Sequence, residues 1–213
     1  MNLVRKKMKN DGDSLYLAYF KTFRELLLKN KILFNKKSIL LGVKETNFNN
    51  GVLDYFRDLQ YQNTGIRHFI VSCGFADYIL NTSLASYIDG VIGTTFFEKD
   101  EKYADLKKLM TEEEKVLAIK KIQSLYPKKK QNDIIYFGDG LTDQKAFEYV
   151  HSIGGISVFV SNDISIYNFS LTKLQELNII DKCFEADFSP QNDIYHYVKQ
   201  FQKKILIDKR KQN

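Results

Sequence analysis

The stretch IIYFGDGLTDQKAF, residues 134–147, restricts the fold more than any other part of this chain. Four apolar residues run into Gly138-Asp139-Gly140, and Asp143 follows where a helical pattern begins. An apolar strand that stops at a glycine loop and turns into a helix is one edge of a βαβ unit. The neighbouring text has the same cadence. IRHFIVS ends in Ser72-Cys73-Gly74, and FADYILNTSLASYI then has a helical pattern. DGVIGTTFF (89–97) predicts a strand, TEEEKVLAIKKIQSLY (111–126) a helix, DIIYFG (133–138) a strand, LTDQKAFEYVHSI a helix and GISVFV (155–160) a strand. Helices are expected at SLTKLQELN and DIYHYVKQFQKKIL, with a short strand at CFEAD (183–187). Strands alternating with helices imply an α/β fold with a mostly parallel sheet covered on both faces. Ligands of such sheets bind at the carboxyl ends of the strands, where the loops of Ser72 and Asp139 are expected.

The first fifty residues have a different pattern. SLYLAYFKTFRELLLKN (14–30) has apolar residues at helical spacing and a cap at Asp13 or Ser14. KKSILLGV (36–43) is apolar but fits either a strand or a helix, and NGVLDYFRDLQYQ (50–62) predicts a helix closed by the turn Asn63-Thr64-Gly65. A hydrophobic fraction of 44% is ample for a core. No apolar run approaches the roughly 20 residues of a membrane helix, so no membrane is expected as a partner. Two cysteines, Cys73 and Cys183, make no disulfide framework, and a cytoplasmic location is expected. Much of the net charge of +6 lies in Arg5-Lys6-Lys7, Lys128-Lys129-Lys130 and the tail KKILIDKRKQN. These clusters are not interleaved with aromatic residues as a stacking groove requires, so nucleic acid is not expected as a partner.

Three features carry chemistry. Asp139 and Asp143, two carboxylates after a strand, suit a hard cation such as magnesium, which keeps waters and substrate phosphate in its shell. Asp143 is also explained as an acid in the first turn of a helix. Ser72 at a strand end, with the N–H groups of Cys73 and Gly74, is a seat for a phosphate oxygen, and equally an ordinary helix cap. Lys115 follows the capping-box pair Thr111 and Glu114, so it lies in a first helical turn against the dipole, unless Glu112, Glu113 and Glu114 neutralise it.

In chain order, a strand-end serine, an isolated lysine and strand-Gly-Asp-Gly-x-Thr-Asp resemble the haloacid dehalogenase superfamily, in its phosphoserine-phosphatase-like branch. The likeness extends to bacterial hydrolases with the string IYFGDGLTD and covers roughly residues 50–200. It implies a Rossmann-like core with a helical cap, magnesium as cofactor, a small phosphorylated substrate, and phosphomonoester hydrolysis through an aspartyl-phosphate. It also implies roles: Ser72 and Lys115 catalytic, Ser72, Cys73, Gly74 and Lys115 around the phosphate, Asp139 and Asp143 at the metal. The family's first motif, Asp-x-Asp-x-Thr at the end of an apolar strand, supplies the nucleophile. Asp11 and Asp13 have the Asp-x-Asp spacing but follow VRKKMK, which is no buried strand. The expectation is a core at 49–213 without its first central strand, a cap remnant at 1–48, and either a truncated phosphatase or an inactive remnant that binds magnesium or a phosphorylated ligand, with a basic nucleic-acid-binding module as the least favoured alternative. SILLGV is the first candidate to fill the empty strand position.

Overall fold

The computed structural model describes residues 2–61, 66–127, 130, 133–165 and 168–210, with the backbone alone described at 2, 59–61 and 202–210. The elements are α1 (Asn2–Asp11), α2 (Leu15–Lys29), α3 (Lys36–Lys44), α4 (Val52–Tyr61), β1 (Phe69–Phe75), α5 (Ala76–Leu80), β2 (Gly90–Lys99) and β3 (Lys102–Lys108). They continue with α6 (Glu112–Ser124), β4 (Ile135–Gly138), α7 (Gln144–Ser152), β5 (Ile156–Ser161), α8 (Phe169–Glu176), β6 (Lys182–Glu185) and α9 (Asp193–Arg210). Short 3-10 turns span Ser83–Tyr87 and Leu141–Asp143. The chain divides into two compact units, one of residues 1–46, 70–85 and 90–111 and one of 47–69, 86–89 and 112–213.

The first unit joins α1, α2, α3 and α5 to a sheet of order β1-β2-β3, in which β2 and β3 are antiparallel. Its centre is aromatic. Phe20, Phe23, Phe34, Phe75, Phe96 and Tyr103 pack ring on ring with centroids 4.9–5.7 Å apart, mostly tilted or edge-on as ring quadrupoles prefer.

The second unit is built on a parallel sheet of order β4-β5-β6. The central strand β5 is buried on both faces, with Ser157, Val158 and Phe159 fully enclosed. Side chains alternate across a strand, so Tyr136 and Phe159 join Phe147, Val150, Leu171 and Leu174 on one face. Val158 and Val160 meet Ala186 and Ile194 on the other. Helices α6, α7 and α8 supply the first layer and α9 the second. The α/β class with a parallel sheet between helices is therefore as expected.

Several local expectations need correction. Residues 36–43 form helix α3, so SILLGV fills no strand position. Asn35 and Ser38 make a reciprocal capping box that starts this helix. Strand β3 was not expected, nor was helix α1. Ser72 lies inside β1 rather than at its end, and the helix expected after Phe75 is divided into α5 and a 3-10 turn. Ser14, not Asp13, caps α2 by accepting from the Leu17 N–H. The turn Asn63-Thr64-Gly65 and the cluster residues Lys128 and Lys129 lie outside the described residues.

Candidate metal and phosphate site

Strand β4 and the loop after it place a buried polar network at the carboxyl edge of the parallel sheet. Lys115, from the first turn of α6, donates through Nζ to Asp143 Oδ1 at 2.6 Å. Both side chains are nearly sealed, 6% and 7% exposed. Tyr136 of β4 donates its hydroxyl to the same oxygen at 2.5 Å, and the Asp139 N–H donates to Asp143 Oδ2 at 3.2 Å. Three donors thus hold one buried carboxylate, which is what a charge removed from water needs.

The glycines divide the labour. A Cβ on Gly138 would lie 2.7 Å from Asp143 Cβ, Asp143 Cγ and Phe147 Cζ, so only glycine lets β4 pass this close to the network. A Cβ on Gly140 would meet nothing within 4 Å.

The geometry resolves two of the alternatives raised by the sequence. Asp143 occupies the N-cap position of α7 but makes no side-chain cap hydrogen bond, so its carboxylate serves the network and not the helix end. Lys115 pairs with Asp143, whereas Glu113 of the same helix pairs with Lys145.

Asp139 differs from its neighbour. It is exposed at the rim, and its carboxyl is held above the ordinary carboxylate range, first by partial desolvation and then by the Asp143 charge, with Lys115 opposing. Two carboxylates sharing one ammonium leave charge for a cation to offset. Magnesium needs only one or two protein carboxylates when waters and phosphate complete its octahedron, so this pair fits it through Asp139. Among the described residues, no group of three or more His, Cys, Asp and Glu side chains is arranged to hold a metal.

Ser72, Cys73 and Gly74 belong to the first unit. Ser72 Oγ accepts from the Gly74 N–H at 3.0 Å, which leaves the hydroxyl hydrogen for another acceptor. The Cys73 carbonyl accepts from Thr94 Oγ1 at 2.8 Å, which ties β1 to β2. The N-cap of α5 is Phe75, with no side-chain cap bond, so Ser72 is not the cap of that helix. Asp11 ends α1 and Asp13 lies in the α1–α2 link, paired with Lys21 at 2.7 Å; neither follows a strand.

Lys115, Asp139 and Asp143 are thus brought together in the second unit. Tyr136 was missed by sequence reasoning. Its signal was available: a tyrosine in an otherwise apolar strand needs a partner for its hydroxyl.

A parallel α/β sheet with a lysine-anchored aspartate in the loop between a strand and the next helix is a Rossmann-like arrangement with an anionic loop. Comparison with known proteins places that fold more narrowly. No family model matches the chain. An uncharacterized protein of Borreliella burgdorferi is 25% identical over 228 residues, covering 88% of this chain and 77% of that protein. Among solved structures, a phosphoserine phosphatase in apo form matches with a TM-score of 0.55 at 20% identity, over 78% of this chain and 72% of that one. The phosphoserine phosphatase from T. onnurineus in complex with NDSB-201 matches with a TM-score of 0.50 at 11% identity, over 95% and 78%. A phospho-aspartyl intermediate analogue of phosphoserine phosphatase matches with a TM-score of 0.50 at 18% identity, over 84% and 83%. At these identities the likeness is one of fold: the chain shares the Rossmann-like α/β fold of these three solved structures.

Proposed function

We propose that the chain is a haloacid-dehalogenase-like hydrolase whose chemistry is magnesium-dependent hydrolysis of a small phosphomonoester. The observation that carries this reading is the buried Lys115–Asp143 pair, backed by Tyr136, directly beside the exposed carboxylate of Asp139. Asp139 would hold the metal and Asp143 would fix the loop that presents it. Magnesium, when bound, supplies positive charge that offsets the phosphate's own. Lys115 holds the Asp143 carboxylate in place, so the loop needs no rearrangement when a phosphate arrives. For Ser72 the role is a hydrogen bond from its hydroxyl to a phosphate oxygen, and for the Cys73–Gly74 backbone, support of that serine; both rest on the sequence resemblance and on the unassigned hydroxyl hydrogen. Residues 1–48 are read as a cap remnant and 49–213 as the core, in a cytoplasmic protein.

A second reading is favoured by one observation. Asp11 ends a helix and Asp13 follows it, so neither stands at the end of a strand, where the resemblance puts the nucleophile. On that reading the chain binds magnesium or a phosphorylated ligand without turnover. A generic aryl phosphate assay separates the two. Magnesium-dependent turnover that Asp139→Asn abolishes supports the hydrolase. A flat baseline in a folded protein whose melting temperature magnesium still raises supports the binding remnant.

A further inference from the structure

The helices of the first unit collect positive charge and exposed apolar side chains in the same place. Residues 2–44 contain eleven Lys and Arg against three Asp and Glu, a net +8 in a chain whose total is +6. Two of those acids are occupied, Glu25 by Lys7 and Asp13 by Lys21. On α1, Arg5, Lys6 and Lys9 are exposed and have no ion pair among the described residues, and the same holds for Lys29, Lys31, Lys36 and Lys37 around the α2–α3 connection. Among the described residues, ten of the seventeen large exposed hydrophobic side chains also fall within 2–44, so the excess is local and not the scatter found on any surface.

The two properties meet at residues 28–37. Leu28 is 74% exposed, Leu33 51% and Ile32 47%, with the four lysines between and beside them. The backbone there is well defined. The Ile32 N–H donates to Leu27 O at 2.8 Å and the Lys31 N–H to Leu28 O at 3.0 Å, a Schellman closure of α2. Its left-handed position is held by Lys31, φ 54°, where glycine is favoured. Phe34 points inward, 4.9 Å from Tyr103 and 5.0 Å from Phe96, and its carbonyl accepts from the Tyr103 N–H at 3.0 Å. The connection is therefore a rigid, cationic, aliphatic knuckle held on an aromatic anchor.

We propose that this knuckle docks on an anionic phospholipid bilayer. Exposed aliphatic tips framed by lysines suit the boundary between acyl chains and anionic headgroups, and such contact needs no spanning segment. The expectation of no membrane partner rested on the lack of a spanning run, which docking at the surface does not require. A second copy of the chain would bring one cationic face against another. A nucleic acid would use stacking aromatics, and here the aromatic ring is turned inward while the tips are aliphatic. The inference does not depend on the phosphatase reading.

The test is cosedimentation of the whole chain with vesicles of phosphatidylcholine, alone or mixed with phosphatidylglycerol. Binding to the mixed vesicles is expected to be at least about tenfold tighter and to weaken as salt is raised. Lys29→Glu with Lys36→Glu, and separately Leu28→Asn with Ile32→Asn, should each weaken it about tenfold. Lys31→Gly should raise the melting temperature, by relieving the left-handed lysine, and yet weaken binding; a merely structural role for Lys31 moves only the first. Equal binding to both vesicles, or none, overturns the proposal. So does binding that the leucine and isoleucine changes leave intact, which would mark a general polyanion site. A dimer seen by light scattering, dispersed by Leu28→Asn and indifferent to vesicles, would assign the surface to a second copy instead.

Discussion

Lysine is put to opposite uses in the two units. Lys115 is withdrawn from water and meets one carboxylate that two other donors also hold. Lys29, Lys31, Lys36 and Lys37 stay in water with no ion pair among the described residues. A buried charge must find its partners inside the fold, because desolvation costs more than an imperfect pair returns. An exposed charge has no such need, so its partner can be another surface. The two kinds of site should therefore respond very differently to mutation.

The largest effect follows from removing Lys115. Lys115→Met leaves Asp143 buried with a charge that only Tyr136 and one backbone N–H attend, and a loss of about 3–5 kcal/mol in urea denaturation is expected. Lys145→Met, which breaks an exposed pair with Glu113, should cost less than about 1 kcal/mol. Similar losses for the two would break the comparison between hidden and displayed charge. Adding Asp143→Leu to Lys115→Met should recover much of the loss, since the unpaired charge is then gone.

Smaller, but set by the same crowding, is the effect at Gly138. Gly138→Ala forces a methyl group against Asp143 and Phe147 and should cost about 1–3 kcal/mol. Gly140→Ala, with open space around it, should stay within about 0.5 kcal/mol. A reversed order would mean that the loop, and not the strand, sets the position of Asp143.

The strand-loop-helix text at 134–147 was legible because each cue agreed: the apolar run, the glycines and the helical spacing after them. Lys115 was legible as a candidate through its awkward place in a first helical turn. Tyr136 gave a signal, a hydroxyl in an apolar strand, but not its partner, which lies seven residues on. Strand β3 escaped because the hairpin turn before it uses Asp100 and Glu101, with φ of 50° and 59°, in place of the Asn-Gly pair that signals such turns. Helix α3 escaped because its apolar run fits two periods and its start signal, the box of Asn35 and Ser38, is short.

The gentlest effect is pH dependence, and it pits two groups of the second unit against each other. His68 has its imidazole held below the usual range by burial, with Asp89 opposing, and its ring lies edge-on to Phe56 at 5.4 Å. The folded state resists its protonation, so the unfolded chain binds more protons, and stability present above the unfolded pKa of about 6.5 is lost as pH falls. Asp139 acts with the opposite sign. Its raised carboxyl makes the folded state the better proton binder, so its ionisation opposes folding at neutral pH and that opposition fades as pH falls toward about 4. In melting curves of metal-free protein, His68→Gln should flatten the loss of stability just below neutrality. Asp139→Asn should raise the melting temperature at pH 7 and lose that advantage in acid. Magnesium should raise it for the parent protein alone; an equal rise in the variant would place the cation elsewhere and separate the exposed carboxylate from the buried network beneath it.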